Sequence, residues 1–220
     1  MHSVPGAIPD RTEFLFKKGQ ANPADPVFHI VKSLSSLGAS HIGIPCNTFH
    51  SPKILGRFQE LLEQQEIEIN FVNIVEETAE VFSQHYAHIR KAAVLGTLGT
   101  FRAETYLGPL HARGIEVVEL VPQIQEKVHN SIYDRKFGLK SNSSVHPYTR
   151  ECLVEVVKSV KAQGAEAVIL GCTELGLAIK QDQMDQLVIV DSVRALARGL
   201  LREAAPHILK PWHRNKDISS

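Results

Sequence analysis

The chain carries one short pattern twice, and that repetition limits its fold more than any other feature. Gly38-Ala39-Ser40-His41-Ile42-Gly43-Ile44-Pro45-Cys46 and Gly164-Ala165-Glu166-Ala167-Val168-Ile169-Leu170-Gly171-Cys172 each run from a Gly-Ala pair through a short apolar stretch to a cysteine. A glycine that stops a helix, followed by an apolar run too short to be a helix, describes a buried strand with a thiol at its carboxyl end. Thr48 and Thr173 stand just beyond the two cysteines. Two such copies imply two related halves that present matched acid/base groups to each other, an arrangement suited to chemistry on both faces of one carbon.

The rest of the chain keeps the same rhythm. Val27, Ile30, Val31, Leu34 and Leu37 predict a helix over 25–37 that feeds a strand over 41–44. Pro52 suits a first helical position, and Ile54, Leu55, Phe58, Leu61 and Leu62 form its apolar stripe. Strands follow at 67–72, 92–95, 115–120, 167–170 and 187–190, with helices at 76–89, 101–112, 122–133, 147–163 and 192–204, and a frayed tail after Pro206. This alternation predicts an α/β fold of two pseudo-symmetric lobes, each a parallel sheet flanked by helices, with the active site in the cleft between them. Residues 1–89 are assigned to lobe one and 90–191 to lobe two, with the helix at about 192–205 packing back on lobe one. Ligands gather at the carboxyl ends of parallel strands, where Cys46, the loop from Thr97 to Thr100 and Cys172 all fall.

Charge and composition exclude several classes. Lys plus Arg and Asp plus Glu are both 24 in 220 residues, with no charged block, so a nucleic-acid footprint is not expected. No run approaches the roughly 18 apolar residues of a membrane span, and MHSVPGAIPDRTEF has no apolar signal core. Three cysteines without a CxxC argue against a disulfide framework or structural zinc, and point to reduced thiols in the cytoplasm.

A cysteine at a strand end meets the free N–H groups of the loop or helix that follows, which favour its thiolate. One such cysteine is more often a small buried hydrophobe. Two in equivalent places, each beside a threonine, shift the balance to Cys46 and Cys172 as functional thiols. Cys152, beside Leu153, Val156 and Val160, reads as packing. Asn47, Thr48 and Thr173, together with Gly96, Thr97, Gly99 and Thr100, offer amides and hydroxyls without bulk, the equipment for holding a carboxylate.

The segments IPCNTFH, LGTLGT and LGCTEL, with IPDRT near the start, together resemble the aspartate/glutamate racemase family over about 5–200. GCTE is similar to the aspartate racemase branch; glutamate racemases usually carry His where Glu174 stands. The resemblance implies racemisation of a small acidic amino acid without pyridoxal phosphate, metal or other cofactor. One thiolate of the Cys46/Cys172 pair would take the α-proton and the other thiol would return one to the opposite face. The same resemblance assigns the α-carboxylate to Asn47, Thr48, Thr97, Gly99, Thr100 and Thr173. It assigns the distal carboxylate to Arg11 and to a lysine for which Lys140 is chosen over Lys136. His50 and Glu174 follow the cysteines closely and are read as tuning the thiols, a partly buried His and a helix-capping Glu being the plainer alternatives. A homodimer is also implied.

One departure stands out. The family opens with a strand and a Gly-Gly-Met-Gly-Pro-like loop that has no counterpart here, and the first four residues resemble the end of the family's second strand. A lobe one lacking its first strand and helix is therefore expected, through a start placed too far downstream or a truncation, with an unpaired sheet edge and lower stability and activity. The rival readings are a glutamate or broad-specificity acidic amino-acid racemase, a related thiol-dependent isomerase or decarboxylase, a non-catalytic binder of acidic metabolites and, last, a thiol redox protein.

Overall fold

A computed structural model describes residues 2–212. Helix α1 (Arg11–Phe16) starts where Asp10 accepts a hydrogen bond from the Glu13 N–H at 2.9 Å. Helix α2 (Ala24–Ser36) ends before Gly38, whose φ of 92° is a turn that a side chain would resist. Strand β1 (His41–Gly43), a 3-10 turn over Asn47–His50, α3 (Pro52–Gln64) and β2 (Asn70–Val72) complete the first unit. Helix α4 (Ile74–His85) is capped by the Asn73 side chain. The chain then forms β3 (Lys91–Leu95), α5 (Leu98–Arg102), α6 (Leu107–His111), β4 (Glu116–Val117), α7 (Pro122–Tyr133) and α8 (Pro147–Ala162). Last come β5 (Ala167–Leu170), α9 (Leu175–Ala178), β6 (Gln183–Met184), β7 (Leu187–Asp191) and α10 (Ser192–Ala204), the last capped by Asp191.

The strands make two sheets. In the smaller, β1 and β2 run parallel with His41 opposite Asn70 and Gly43 opposite Val72. The larger has the order β4-β3-β5-β7-β6. Side chains alternate across the larger sheet: Ala167 and Ile169 of β5 join the core with Ile74, Phe82 and Leu196, whereas Val168 and Leu170 join that with Leu153, Val156 and Val160. Both faces of β5 are thus covered by helices, which is why its sequence is an unbroken apolar run. A third core joins α1, α2, α3 and β1 through Phe14, Phe28, Val31, Ile42, Phe49, Ile54 and Phe58. Helix α10 lies against β1: a Cβ on Gly43 would sit 2.7 Å from Leu196 Cδ1. It is also tied to α4 by an Arg202–Glu77 ion pair at 2.6 Å.

The α/β architecture of helix-flanked, parallel-strand sheets is as expected, with several local corrections. The helix expected over 101–112 is two helices, because Glu104 turns into left-handed backbone at φ 48° and Pro109 is tolerated only in a first helical turn. The strands expected at 67–72 and 115–120 shrink to three and two paired residues. The larger sheet is not wholly parallel, since β6 adds an antiparallel edge to β7. His2–Val4 carry no strand, and Pro5–Ala7 form a 3-10 turn. The tail is not frayed at Pro206: Trp212 stacks on His85 at 4.7 Å and donates to the Tyr86 hydroxyl at 3.2 Å. Residues 213–220, the rest of that expected frayed segment, lie outside the described residues. Among the described residues no helix is long and apolar enough to cross a membrane.

Candidate active site

Three strand ends converge on one cavity of about 100 Å³: Cys46 beyond β1, Thr97 beyond β3 and Cys172 beyond β5. Asn47, Thr48 and Thr173 line it beside the cysteines, and Arg11, Lys140 and Glu174 bring charge to its wall. Lys136, the alternative lysine, is exposed and lies outside the lining.

The threonines form a hydroxyl cluster. Thr48 Oγ1 lies 3.0 Å from Thr97 Oγ1 and 2.9 Å from Thr100 Oγ1, and Thr12 donates to Thr97 at 3.2 Å. Thr100 and Gly99 stand behind the lining and not in it. Gly99 is needed there for space, because a Cβ would meet Thr12 Oγ1 at 2.8 Å and Thr48 Cγ2 at 2.9 Å. Asn47 is braced at both ends of its amide: Nδ2 donates to Ser192 Oγ at 3.1 Å, and Tyr106 donates to Oδ1. Ser192 passes the chain on to Leu170 O at 2.7 Å, so the Asn47 turn is fixed to the end of β5.

The two thiols have different surroundings. Cys46 faces the Arg11 guanidinium; burial weighs against the charge on Arg11, but the Cys46 thiol, Asp10 and Tyr133 together raise its pKa. Cys172 donates its S–H to Glu174 Oε2 at 3.0 Å. Burial pushes the Cys172 thiol well above its ordinary pKa, and the Glu174 carboxylate pushes it further, with Lys140 opposing. Burial alone would raise Glu174, yet the Cys172 hydrogen bond, Lys140 and the Thr173 hydroxyl at 2.9 Å lower it on balance. Cys172 is therefore held as a thiol beside an ionised carboxylate. Glu174 does not cap α9 with its side chain.

His50 lies outside the cavity, buried, with Nδ1 2.9 Å from Cys46 O and its ring stacked on Phe71 at 5.6 Å. The carbonyl partner assigns the proton to Nδ1. Burial lowers its pKa to about 4, against which the Cys46 carbonyl works, so the ring is neutral near pH 7.

Sequence reasoning missed two members of the site. Asp10 caps α1 with one carboxylate oxygen and accepts from the Tyr133 hydroxyl with the other, at 2.8 Å. Tyr133 lines the cavity and accepts from Lys140 Nζ at 3.0 Å, while the same ammonium lies 4.1 Å from its ring centre. The Asp10-x-x-Glu13 spacing ahead of Phe14-Leu15-Phe16 is a helix-start signal that would have placed α1 and with it Arg11. Among the described residues neither Arg11 nor Lys140 makes an ion pair with a carboxylate. The cavity wall thus carries two cations, one carboxylate, two thiols and the Thr48 and Thr97 hydroxyls.

The model of Asp/Glu/hydantoin racemases matches residues 2–200. The chain belongs to that family. The broad specificity amino-acid racemase RacX of Bacillus subtilis (strain 168) is 30% identical over 166 residues, which are 76% of this chain. The match spans 65% of RacX. The structure of an aspartate racemase from Picrophilus torridus is similar with a TM-score of 0.72 and 28% identity, covering 90% of this chain and 75% of that one. An aspartate racemase homologue from Pyrococcus horikoshii OT3 gives 0.65 and 29%, covering 88% and 80%. Among the described residues no group of three or more His, Cys, Asp or Glu could hold a metal ion.

Proposed function

We propose that this member of the family racemises acidic amino acids, aspartate foremost, by a cofactor-independent mechanism in which Cys46 and Cys172 work on opposite faces of the α-carbon. The observation that carries the reading is that the two repeated thiols open into one small cavity alongside Arg11 and Lys140. The Cys46 thiolate, with Arg11 as counter-charge, takes the α-proton of one enantiomer, and the Cys172 thiol delivers its own proton to the other face. The resulting Cys172 thiolate and Cys46 thiol are the pair required for the reverse reaction, so the two enantiomers enter opposite protonation states of one site.

Removal of an α-proton beside a carboxylate puts enolate-like charge on the carboxylate oxygens, which must be met by donors already in place. Thr48 and Thr97 supply hydroxyls, Asn47 supplies backbone at the turn, Gly99 and Thr100 support them from behind, and Thr173, whose hydroxyl donates to Glu174 at 2.9 Å, lines the cavity beside Cys172. Lys140 and Arg11 hold the distal carboxylate, which selects diacids over neutral amino acids. Glu174 keeps Cys172 protonated until it is needed, and His50 fixes the Cys46 carbonyl. The likeness to RacX supports a second reading, a wider side-chain range at the same thiols.

Proton NMR of D- and L-aspartate, glutamate and methionine in deuterated buffer tests this. Loss of the α-proton signal from both aspartate enantiomers is expected, together with the appearance of the opposite enantiomer by chiral chromatography of the same samples. Cys46→Ser and Cys172→Ser should each abolish racemisation; a single variant that racemises at the parent rate overturns the two-thiol mechanism. Binding without exchange would identify a metabolite binder, and equal exchange with methionine would favour the broad range.

A further inference from the structure

Tyr133 stands between two compartments. On one side is the thiol cavity of about 100 Å³, on the other a wider groove of about 490 Å³ lined by Phe16, Leu98 and His129 together with the charged Asp10, Glu13 and Lys17, and Tyr133 lines both. Its neighbours come from both sides: Lys140, a cavity residue, lies over the ring at 4.1 Å, and His129, a groove residue, stacks on it at 4.7 Å. Its hydroxyl donates to Asp10 at 2.8 Å and accepts from Lys140 at 3.0 Å.

We infer that Tyr133 sets both the length and the charge of the side chain that the cavity accepts, its ring closing off the wider groove and its hydroxyl standing between Asp10 and the Lys140 ammonium. This rests on the racemase reading and adds a specificity-determining residue to it. The ring excludes any side chain longer than that of a short diacid. The hydroxyl takes up the Asp10 carboxylate in a hydrogen bond, and no direct Asp10–Lys140 ion pair forms among the described residues. Lys140 thereby keeps its charge available to a substrate carboxylate. Without the hydroxyl, Asp10 and Lys140 pair directly and the cation that selects diacids is neutralised. Without the ring, the cavity opens into the groove, where Phe16 and Leu98 offer apolar surface, beside a Lys17 and a Glu13 that neutralise each other, to a long uncharged side chain such as that of methionine.

The two effects separate in two variants. In Tyr133→Phe the wall stays and the hydroxyl goes: KM for aspartate rises roughly tenfold with kcat little changed, and methionine stays excluded. In Tyr133→Ala both go: aspartate is lost, while methionine gains binding by calorimetry and α-proton exchange by NMR. Tyr133→Leu, which keeps apolar bulk against His129 and shortens the wall, carries the same methionine readout should the alanine variant fail to fold. The inference is overturned if the shortened variants bind methionine no better than the parent, or if Tyr133→Phe keeps the parental KM and affinity for aspartate. Should the parent exchange no α-proton of any diacid, the racemase reading falls, yet calorimetry with aspartate and methionine still decides whether Tyr133 is the partition.

Discussion

Gly99 and Gly108 permit a controlled test of how tightly the site is assembled. Each is the second residue of a five-residue helix, α5 and α6. By helix propensity alone, a Gly→Ala change at either should stabilise by about 0.8–1.0 kcal/mol. Their surroundings differ. Around Gly108 nothing lies within 4 Å of an added Cβ, so the full gain should appear. At Gly99 the same methyl meets Thr12 Oγ1 at 2.8 Å, Thr48 Cγ2 at 2.9 Å and Thr12 Cα at 3.1 Å. Both threonines are buried and β-branched, so neither rotates away freely, and the contact with Thr12 Cα requires α1 itself to move. Overpacking of this kind costs about 1–3 kcal/mol, which leaves Gly99→Ala destabilised by about 1 kcal/mol after the helix gain is deducted. The two variants should then differ by about 2 kcal/mol, or about 4–8 °C in melting temperature at this chain length. Calorimetric melts of parent and both variants read the difference directly, and α-proton exchange should fall only in Gly99→Ala, because displaced Thr12 and Thr48 distort the hydroxyl cluster. If Gly99→Ala melts at or above Gly108→Ala, the close packing of α1 on α5 is refuted.

Two further perturbations probe titrating groups. The folded pKa of His50 is lowered from 6.5 to about 4, so as the pH falls through 6.5 the unfolded chain takes up this proton first and stability declines until about pH 4. That shift corresponds to about 3 kcal/mol, measurable by urea unfolding across the range, and His50→Gln should remove this part of the slope; an unchanged slope would place the acid sensitivity elsewhere. Glu174→Gln removes one of the causes that raise the Cys172 pKa, so the pH midpoint for iodoacetamide modification of Cys172, followed by mass spectrometry, should move down. A midpoint that stays or rises contradicts the role given to the carboxylate.

Much of the fold was legible because its signals are local. Pro122 at a first helical position and the apolar run 167–170 produced α7 and β5 with the expected bounds. The break between α5 and α6 was not, since Glu104 adopts its left-handed turn without a glycine or asparagine to mark it. The repeat pointed to Cys46 and Cys172, and the short loops beside them to Asn47, Thr48, Thr97 and Thr173; all six line one cavity. Asp10 and Tyr133 were missed because their hydrogen bond joins residues 123 positions apart, a pairing that no periodicity carries. His50 was read as tuning the thiols, with a partly buried ring as the plainer alternative; its stacking on Phe71 of β2 buries it almost completely.

The position of α10 has a consequence for how the protein is made. β1 and the loop bearing Cys46 emerge early from the ribosome, but Leu196, which fills the space over Gly43, and Arg202, which meets Glu77, emerge only after the whole of the larger sheet. At about 5–20 residues per second that interval is on the order of ten seconds. Through it the nascent first half exposes apolar surface and an unmatched carboxylate. The Cys46 loop, held through Asn47 by Ser192 at 3.1 Å, gains that brace only once the second thiol loop has already been made.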